Sequence, residues 1–259
     1  MTRFALAVPH WGPFGDPREA ARIAERAESA GWDGYFTWGG FVSDDAPPKT
    51  YDPWVILAAV ASATSRMRIG TCIAPLPAFQ PHVVASIVAS LDVLSGGRMT
   101  LGVGIGDVAR SFEVFGQSGD RRTRAAQLDE ALEVIVRLWS GERVVHHGEH
   151  YVVDGLTLAA VPVQRPRVPI WVGGDSAPAK RRAARWDGWI GPDEHPADAT
   201  AADLREVRRE LSSSTHPVEL VWAGELDDVG TADWAMVPLV GSRDACEALV
   251  EAGPRRGAW

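Results

Sequence analysis

Three short stretches hold residue types at spacings that can do chemistry. Gly104-Ile105-Gly106-Asp-Val-Ala109 matches G-x-G-x-x-G/A, the turn on which a dinucleotide pyrophosphate rests. His146, Glu149 and His150 match H-x-x-E-H, an inverted zinc-hydrolase pattern. Trp171-Val-Gly173-Gly174-Asp175-Ser176-Ala-Pro178 runs from a strand-like segment through two glycines to a helix start, where exposed backbone N–H groups attract phosphate.

Context decides between them. A dinucleotide site needs an acidic ribose ligand about 20 residues beyond its glycines. That distance falls at Arg124 to Leu128, inside a helical pattern, and 107–123 shows no helix directly after the glycines. The dinucleotide reading therefore fails. What remains is a strand whose C-terminal end is opened by Gly104 and Gly106, so that a flat ligand lies against bare backbone. The zinc pattern needs a helix to put both histidines on one face. Gly148 and the pairs Val144-Val145 and Val152-Val153 predict a β-hairpin instead, and no metal site is expected.

The elements that must position these residues alternate. RFALAVP (3–9), DGYFTW (33–38), MRIGTCIA (67–74), RMTLGVGIG (98–106), VPIWVGG (168–174), DGWIG (187–191) and PVELVWAG (217–224) read as strands. Helices lie between them: 16–31 and 52–65, each opened by Asp-Pro, then 82–97, 124–141, 179–185, 202–211 and 241–253. Such alternation implies parallel strands. Seven βα units without a composition break favour one (β/α)8 TIM barrel over an open sheet, with a hairpin insertion and linker at 142–167 after the fourth unit. Either MVPLVG (236–241) supplies the last strand, or the chain stops short of full closure.

Bulk properties narrow the class. The 259 residues are 46% hydrophobic with a net charge of −8, which predicts a soluble protein without nucleic acid or membrane partners. Cys72 and Cys246 are too few for a disulfide scaffold, and the absence of an apolar leader or span predicts a cytoplasmic location.

The segments AGWDGYFTW (30–38), DPWVILAAVASATSRMRIGT (52–71), LDVLSGGRMTLGVGIGD (91–107), LDEALEVIVRLWSGE (128–142) and QRPRVPIWVGG (164–174) resemble the bacterial luciferase-like superfamily in wording and order. The resemblance implies a TIM barrel carrying FMN or coenzyme F(420), a deazaflavin, at its C-terminal mouth. The implied chemistry is hydride transfer to, or oxygen insertion into, a small organic substrate. It also implies that Gly104, Ile105 and Gly106, with Gly173, Gly174, Asp175 and Ser176, hold the cofactor by backbone. Trp38, Gly39 and Gly40 would lie beside the ring, and Thr71 and Cys72 would face it. The general wording favours the deazaflavin, and relatives that pair through helices near the early strands imply a homodimer.

One departure matters. Deazaflavin-dependent relatives carry Trp-Asp-His after the second strand, whereas this chain has Trp38-Gly39-Gly40. No acid or base remains there, so His10, at the end of the first strand, becomes the candidate proton donor. Trp11 and Phe41 would line the mouth, and Asp44 and Asp45 lie in a loop. Gly39-Gly40 and the short C-terminus leave a second reading open, a barrel that binds flavin or a partner without turnover.

Overall fold

The computed structural model describes residues 1–39, 50–106, 109–191, 201–212, 214–223 and 231–254. Helix starts form where the sequence supplies caps. β1 (Arg3–Val8) leads to α1 (Pro17–Ser29), where the Asp16 carboxylate accepts from the Arg18 N–H. β2 (Gly34–Thr37) leads to α2 (Pro53–Ala63), where Asp52 accepts from Trp54 and Val55. β3 (Arg68–Thr71) and the short β4 (Ala74–Pro75) precede α3 (Pro81–Ser95), which Gly96 ends in the left-handed region at φ 68°.

β5 (Met99–Gly104) is followed by a four-residue helix α4 (Arg110–Glu113), which the sequence pattern does not predict, and by the long α5 (Arg121–Leu138). The hairpin β6 (Val144–His147) and β7 (Val152–Leu156) comes next. The remaining elements are β8 (Ile170–Gly173), α6 (Ala177–Ala183), β9 (Gly188–Gly191), α7 (Ala201–Leu211), β10 (Glu219–Ala223), β11 (Trp234–Pro238) and α8 (Arg243–Ala252).

Eight of these strands close a parallel ring in the order β1, β2, β3, β5, β8, β9, β10, β11, and β4 is hydrogen-bonded to β5 outside it. The barrel is complete: of the two alternatives, the 236–241 segment contributes the last strand, β11 (Trp234–Pro238), and the chain does not stop short. β11 returns to β1 with Arg3 opposite Trp234 and Ala7 opposite Pro238. The last strand is short but sufficient, because Trp234 and Met236 point into the barrel while Ala235 faces the helical layer.

Two apolar layers follow from that alternation. Outward residues such as Phe4, Leu6, Tyr35, Ile69, Leu101 and Ile170 pack against the helices. Inward residues Ala5, Ala7, Phe36, Trp171, Ile190, Val221, Trp234 and Met236 form a separate interior cluster. The hairpin docks outside on α5. Glu130 accepts from the His150 and Tyr151 N–H groups at 2.9 and 2.8 Å and meets His146 Nε2 at 2.9 Å. Burial opposes ionisation of Glu130, but the His146 ring and the two backbone donors outweigh it and hold the carboxyl below its usual range. None of the described helices is long and apolar enough to cross a membrane.

Candidate functional site

The barrel has one closed end. Inside its N-terminal half, Phe36 stacks on Trp171 with centroids 5.1 Å apart, and Trp171 meets Trp234 at 5.6 Å. Below them Glu219 accepts from the indole N–H groups of Trp171 at 3.0 Å and Trp234 at 3.4 Å. Arg3 and Arg68 pair with the same carboxylate, and Arg3 lies over the Trp234 ring at 4.2 Å. Burial pushes the Arg68 guanidinium down from its ordinary value, with Glu219 pulling the other way. This plug fills the N-terminal end, and the opposite, C-terminal mouth is where barrel chemistry is placed.

At the mouth the interior cluster ends on Trp38, Cys72, Ile73 and Ala223, all partly buried. Ile73 is the centre of this floor, and the sequence reading missed it. A Cβ added to Gly104 would lie 2.1 Å from the Ile73 Cδ1, and one added to Gly173 would lie 3.0 Å from its Cγ2. The bare strand ends of β5 and β8 thus close around the Ile73 side chain. A Cβ on Gly39 would meet the Ile73 carbonyl oxygen at 2.6 Å, so the end of β2 rests on the same residue. The Cys72–Ile73 peptide is cis.

The other expected residues divide. Thr71 and Cys72 do not face the same way: Cys72 packs toward the interior, whereas the buried Thr71 hydroxyl donates to the Gly102 carbonyl at 2.6 Å. His10 is buried at the end of β1, its ring edge-on to Trp11 at 4.7 Å, and Trp11 meets Trp38 at 5.2 Å. These three rings form one wall of the mouth, held by the Tyr51 N–H donating to the His10 carbonyl at 3.0 Å. Across the mouth, Gly174 has φ 119° and Ser176 caps α6 by accepting from the Ala179 N–H. The Trp189 indole donates to the Gly174 carbonyl at 2.9 Å and fixes that turn. Asp175 is exposed, with its carboxylate beside Gly191. Gly40, Phe41, Asp44 and Asp45 lie outside the described residues.

Ile105 and Gly106 lead out of β5, and both carbonyls accept from Arg124 of α5, at 3.0 and 2.7 Å. Arg124 is a second residue the sequence reading passed over. Its signal was present, since Arg124, Leu128, Ala131, Ile135 and Leu138 share one buried stripe of the helix.

With this geometry in view, residues 4–226 match the model of the family described as luciferase-like monooxygenase. The chain belongs to that family. Among its relatives is an uncharacterized protein of Mycobacterium tuberculosis (strain H37Rv), 31% identical over 85% of this chain and 77% of its own length. The F420-dependent glucose-6-phosphate dehydrogenase of Nakamurella multipartita is 34% identical over 67% of this chain. The matched region is only 52% of that relative, so this chain spans about half its length. The crystal structure of the monooxygenase RslO1 from Streptomyces bottropensis superposes with a TM-score of 0.73 at 26% identity, over 86% of this chain and 70% of that one.

Proposed function

We propose that this luciferase-like barrel is a deazaflavin- or flavin-dependent oxidoreductase acting on a small organic substrate, with the deazaflavin as its preferred cofactor. The observation that carries the reading is the contrast between the two ends of the barrel interior. An aromatic plug and Glu219 close the bottom, and an apolar floor built on Ile73 lies at the top, ringed by bare strand ends. The residues present fit such a cofactor. A flat ring system needs an apolar floor without protruding side chains, and a phosphate needs backbone donors at a turn.

In this reading Gly104, Ile105 and Gly106 hold one edge of the cofactor, and Gly173, Gly174, Asp175 and Ser176 hold its phosphate-bearing end. Trp38, Gly39 and Cys72 flank the ring, and the Thr71 hydroxyl beside Cys72 is bonded to the Gly102 carbonyl. When bound and reduced, the cofactor supplies a hydride to the substrate or activates oxygen for insertion. The chain's own part is to orient the reactants, exclude water and place a proton. His10 is the proposed proton carrier, because imidazole changes charge near neutral pH and this ring stands in the mouth wall.

The preference for the deazaflavin rests on F420-dependent relatives such as the dehydrogenase from Nakamurella multipartita. A barrel that binds without turnover drew part of its support from an open C-terminus, and the closed ring removes that ground. We also propose a homodimer through α2 and α3. These neighbouring helices carry no charged side chain except buried Asp92, and they expose Val55, Val83, Val93 and Leu94. Sedimentation velocity returning a monomer at micromolar concentration would remove that part.

The functional reading is tested by titrating the protein with the deazaflavin and with FMN while following the quenching of each cofactor's fluorescence. Saturable micromolar binding of the deazaflavin, with FMN weaker, is the expected result. Binding of neither by the folded protein overturns it. Once a substrate is found by screening with the bound cofactor, His10→Asn is expected to lower turnover at least tenfold and leave cofactor affinity within twofold.

A further inference from the structure

We infer that Arg124 is a positioning residue for the cofactor, acting through the backbone of Ile105 and Gly106; this rests on the proposal that the cofactor sits at the barrel mouth. Arg124 is only 1% exposed, although it sits in the first turn of α5 on the outside of the ring. One guanidinium nitrogen, Nη1, donates to both the Ile105 carbonyl at 3.0 Å and the Gly106 carbonyl at 2.7 Å. The guanidinium lies over the Phe112 ring, its Cζ 4.5 Å from the centroid. Phe112 is itself buried, and its ring edge would lie 2.8 Å from a Cβ placed on Gly106. Helix α5, helix α4 and the exit of β5 are thereby locked together around one peptide.

That peptide matters because of its direction. In a trans peptide the carbonyl and the N–H point to opposite sides. Arg124 draws the Ile105 carbonyl outward, toward α5, so the Gly106 N–H of the same peptide points away from α5. Gly106 holds φ 73°, a conformation that a side chain would strain, and the Phe112 ring leaves no room for one. The rim therefore presents a backbone donor on the side away from α5, fixed before any ligand arrives. Preorganised donors of this kind raise affinity because the ligand does not have to order them.

The contact is also specific to arginine. A planar guanidinium reaches two carbonyls while stacking on an aromatic face, whereas an ammonium is a compact point charge that stacks poorly. The graded series Arg124, Arg124→Lys, Arg124→Met thus removes the geometry first and the charge second.

The test measures cofactor dissociation constants by fluorescence quenching, and melting temperatures, for the full-length wild type, Arg124→Lys and Arg124→Met. The inference expects Arg124→Lys to bind about tenfold more weakly than wild type, through loss of the stacked, fixed geometry, and Arg124→Met about a hundredfold, through loss of both charge-assisted hydrogen bonds. Arg124→Lys is expected to melt within a few degrees of wild type, so its loss of affinity is not a loss of fold. A purely structural role would lower the melting temperature and leave the affinity of the folded variants unchanged. That result overturns the inference while the cofactor reading stands. If Arg124→Met fails to fold, the folded Arg124→Lys decides alone, and affinity equal to wild type counts against us. A wild type that binds neither cofactor overturns the functional reading and this inference together.

Discussion

Gly39 stands where the resemblance to deazaflavin-dependent enzymes implies an aspartate, and the structure shows what a side chain there would meet. A Cβ at this position would lie 2.6 Å from the Ile73 carbonyl oxygen and 2.9 Å from the Ala74 Cα, both backbone atoms that cannot swing away. A side chain at position 39 is therefore accommodated only if the 73–74 backbone shifts. Gly39→Asp is expected to lose about 1–3 kcal/mol through overpacking, a fall in melting temperature of roughly 3–10 °C for a chain of this size. It should bring no gain in turnover. An unshifted melting temperature would show that the 73–74 backbone yields easily and that the missing acid is a matter of sequence alone. The same neighbourhood marks the limit of what the sequence discloses. Trp38 and Cys72 were expected at the mouth, and both pack against the interior cluster. Thr71 was grouped with Cys72, yet it turns to β5, because a barrel strand is apolar on both faces and its wording hides which face is which. Ile73 stayed invisible for the same reason: one isoleucine in MRIGTCIA looks like any other, and only the convergence of three glycines from other strands singles it out.

Helix and strand boundaries were far more legible, since Asp16-Pro17 and Asp52-Pro53 each open a helix by the capping geometry their chemistry dictates. What sequence patterning leaves out is how elements far apart in the chain are tied. Glu28, near the end of α1, is such a tie. Its carboxylate accepts from the backbone N–H groups of Ser65, Arg66 and Met67 at 3.0, 2.7 and 2.8 Å, and so anchors the entry to β3. Burial works against the ionised form, but these donors outweigh it and take the carboxyl down to about 2. A folded value below the unfolded one, which is near 4.5, gives stability that is fully present above pH 4.5. That stability is lost as pH falls from 4.5 toward 2. After allowance for its partial exposure the contribution is about 1–2 kcal/mol. Urea unfolding of Glu28→Gln should accordingly show a deficit of that size at pH 7 that shrinks below pH 4.5 and falls to about a quarter of its size by pH 2.5. A deficit that stays constant across this range would mean that shape, and not charge, makes the tie. The hairpin follows the same logic, because its strands are readable from the β-branched pairs Val144-Val145 and Val152-Val153 while its mooring to Glu130 of α5 is not.

At the scale of the whole molecule the question left by the sequence was whether the ring closes, and the answer lies in side chains from both ends of the chain. Helix α8 is clasped to α1 by Arg22, Arg26 and Arg243 against Glu19, Glu247 and Glu251. Deeper in, Glu219 of β10 gathers Arg3 of β1, Arg68 of β3, Trp171 of β8 and Trp234 of β11, so that one carboxylate links five of the eight ring strands. This explains why a charged residue stands at the foot of an aromatic core: it satisfies two indole donors, balances the burial-disfavoured Arg68 guanidinium and pairs with the more exposed Arg3. Removing it should cost more than the contacts it makes, because the arginines stay behind. Glu219→Ala is expected to destabilise the fold by about 2–4 kcal/mol, somewhat under the penalty for a fully buried pair because the carboxylate keeps some contact with solvent. Adding Arg68→Met to that variant should recover part of the loss, since it removes one uncompensated cation from the same place. The two variants are compared by urea unfolding at pH 7. Recovery in the double variant assigns the cost to stranded charge. Additive losses would instead assign it to the packing of Phe36, Trp171 and Trp234, and would make the aromatic stack, not the carboxylate, the element that holds the barrel shut at its base.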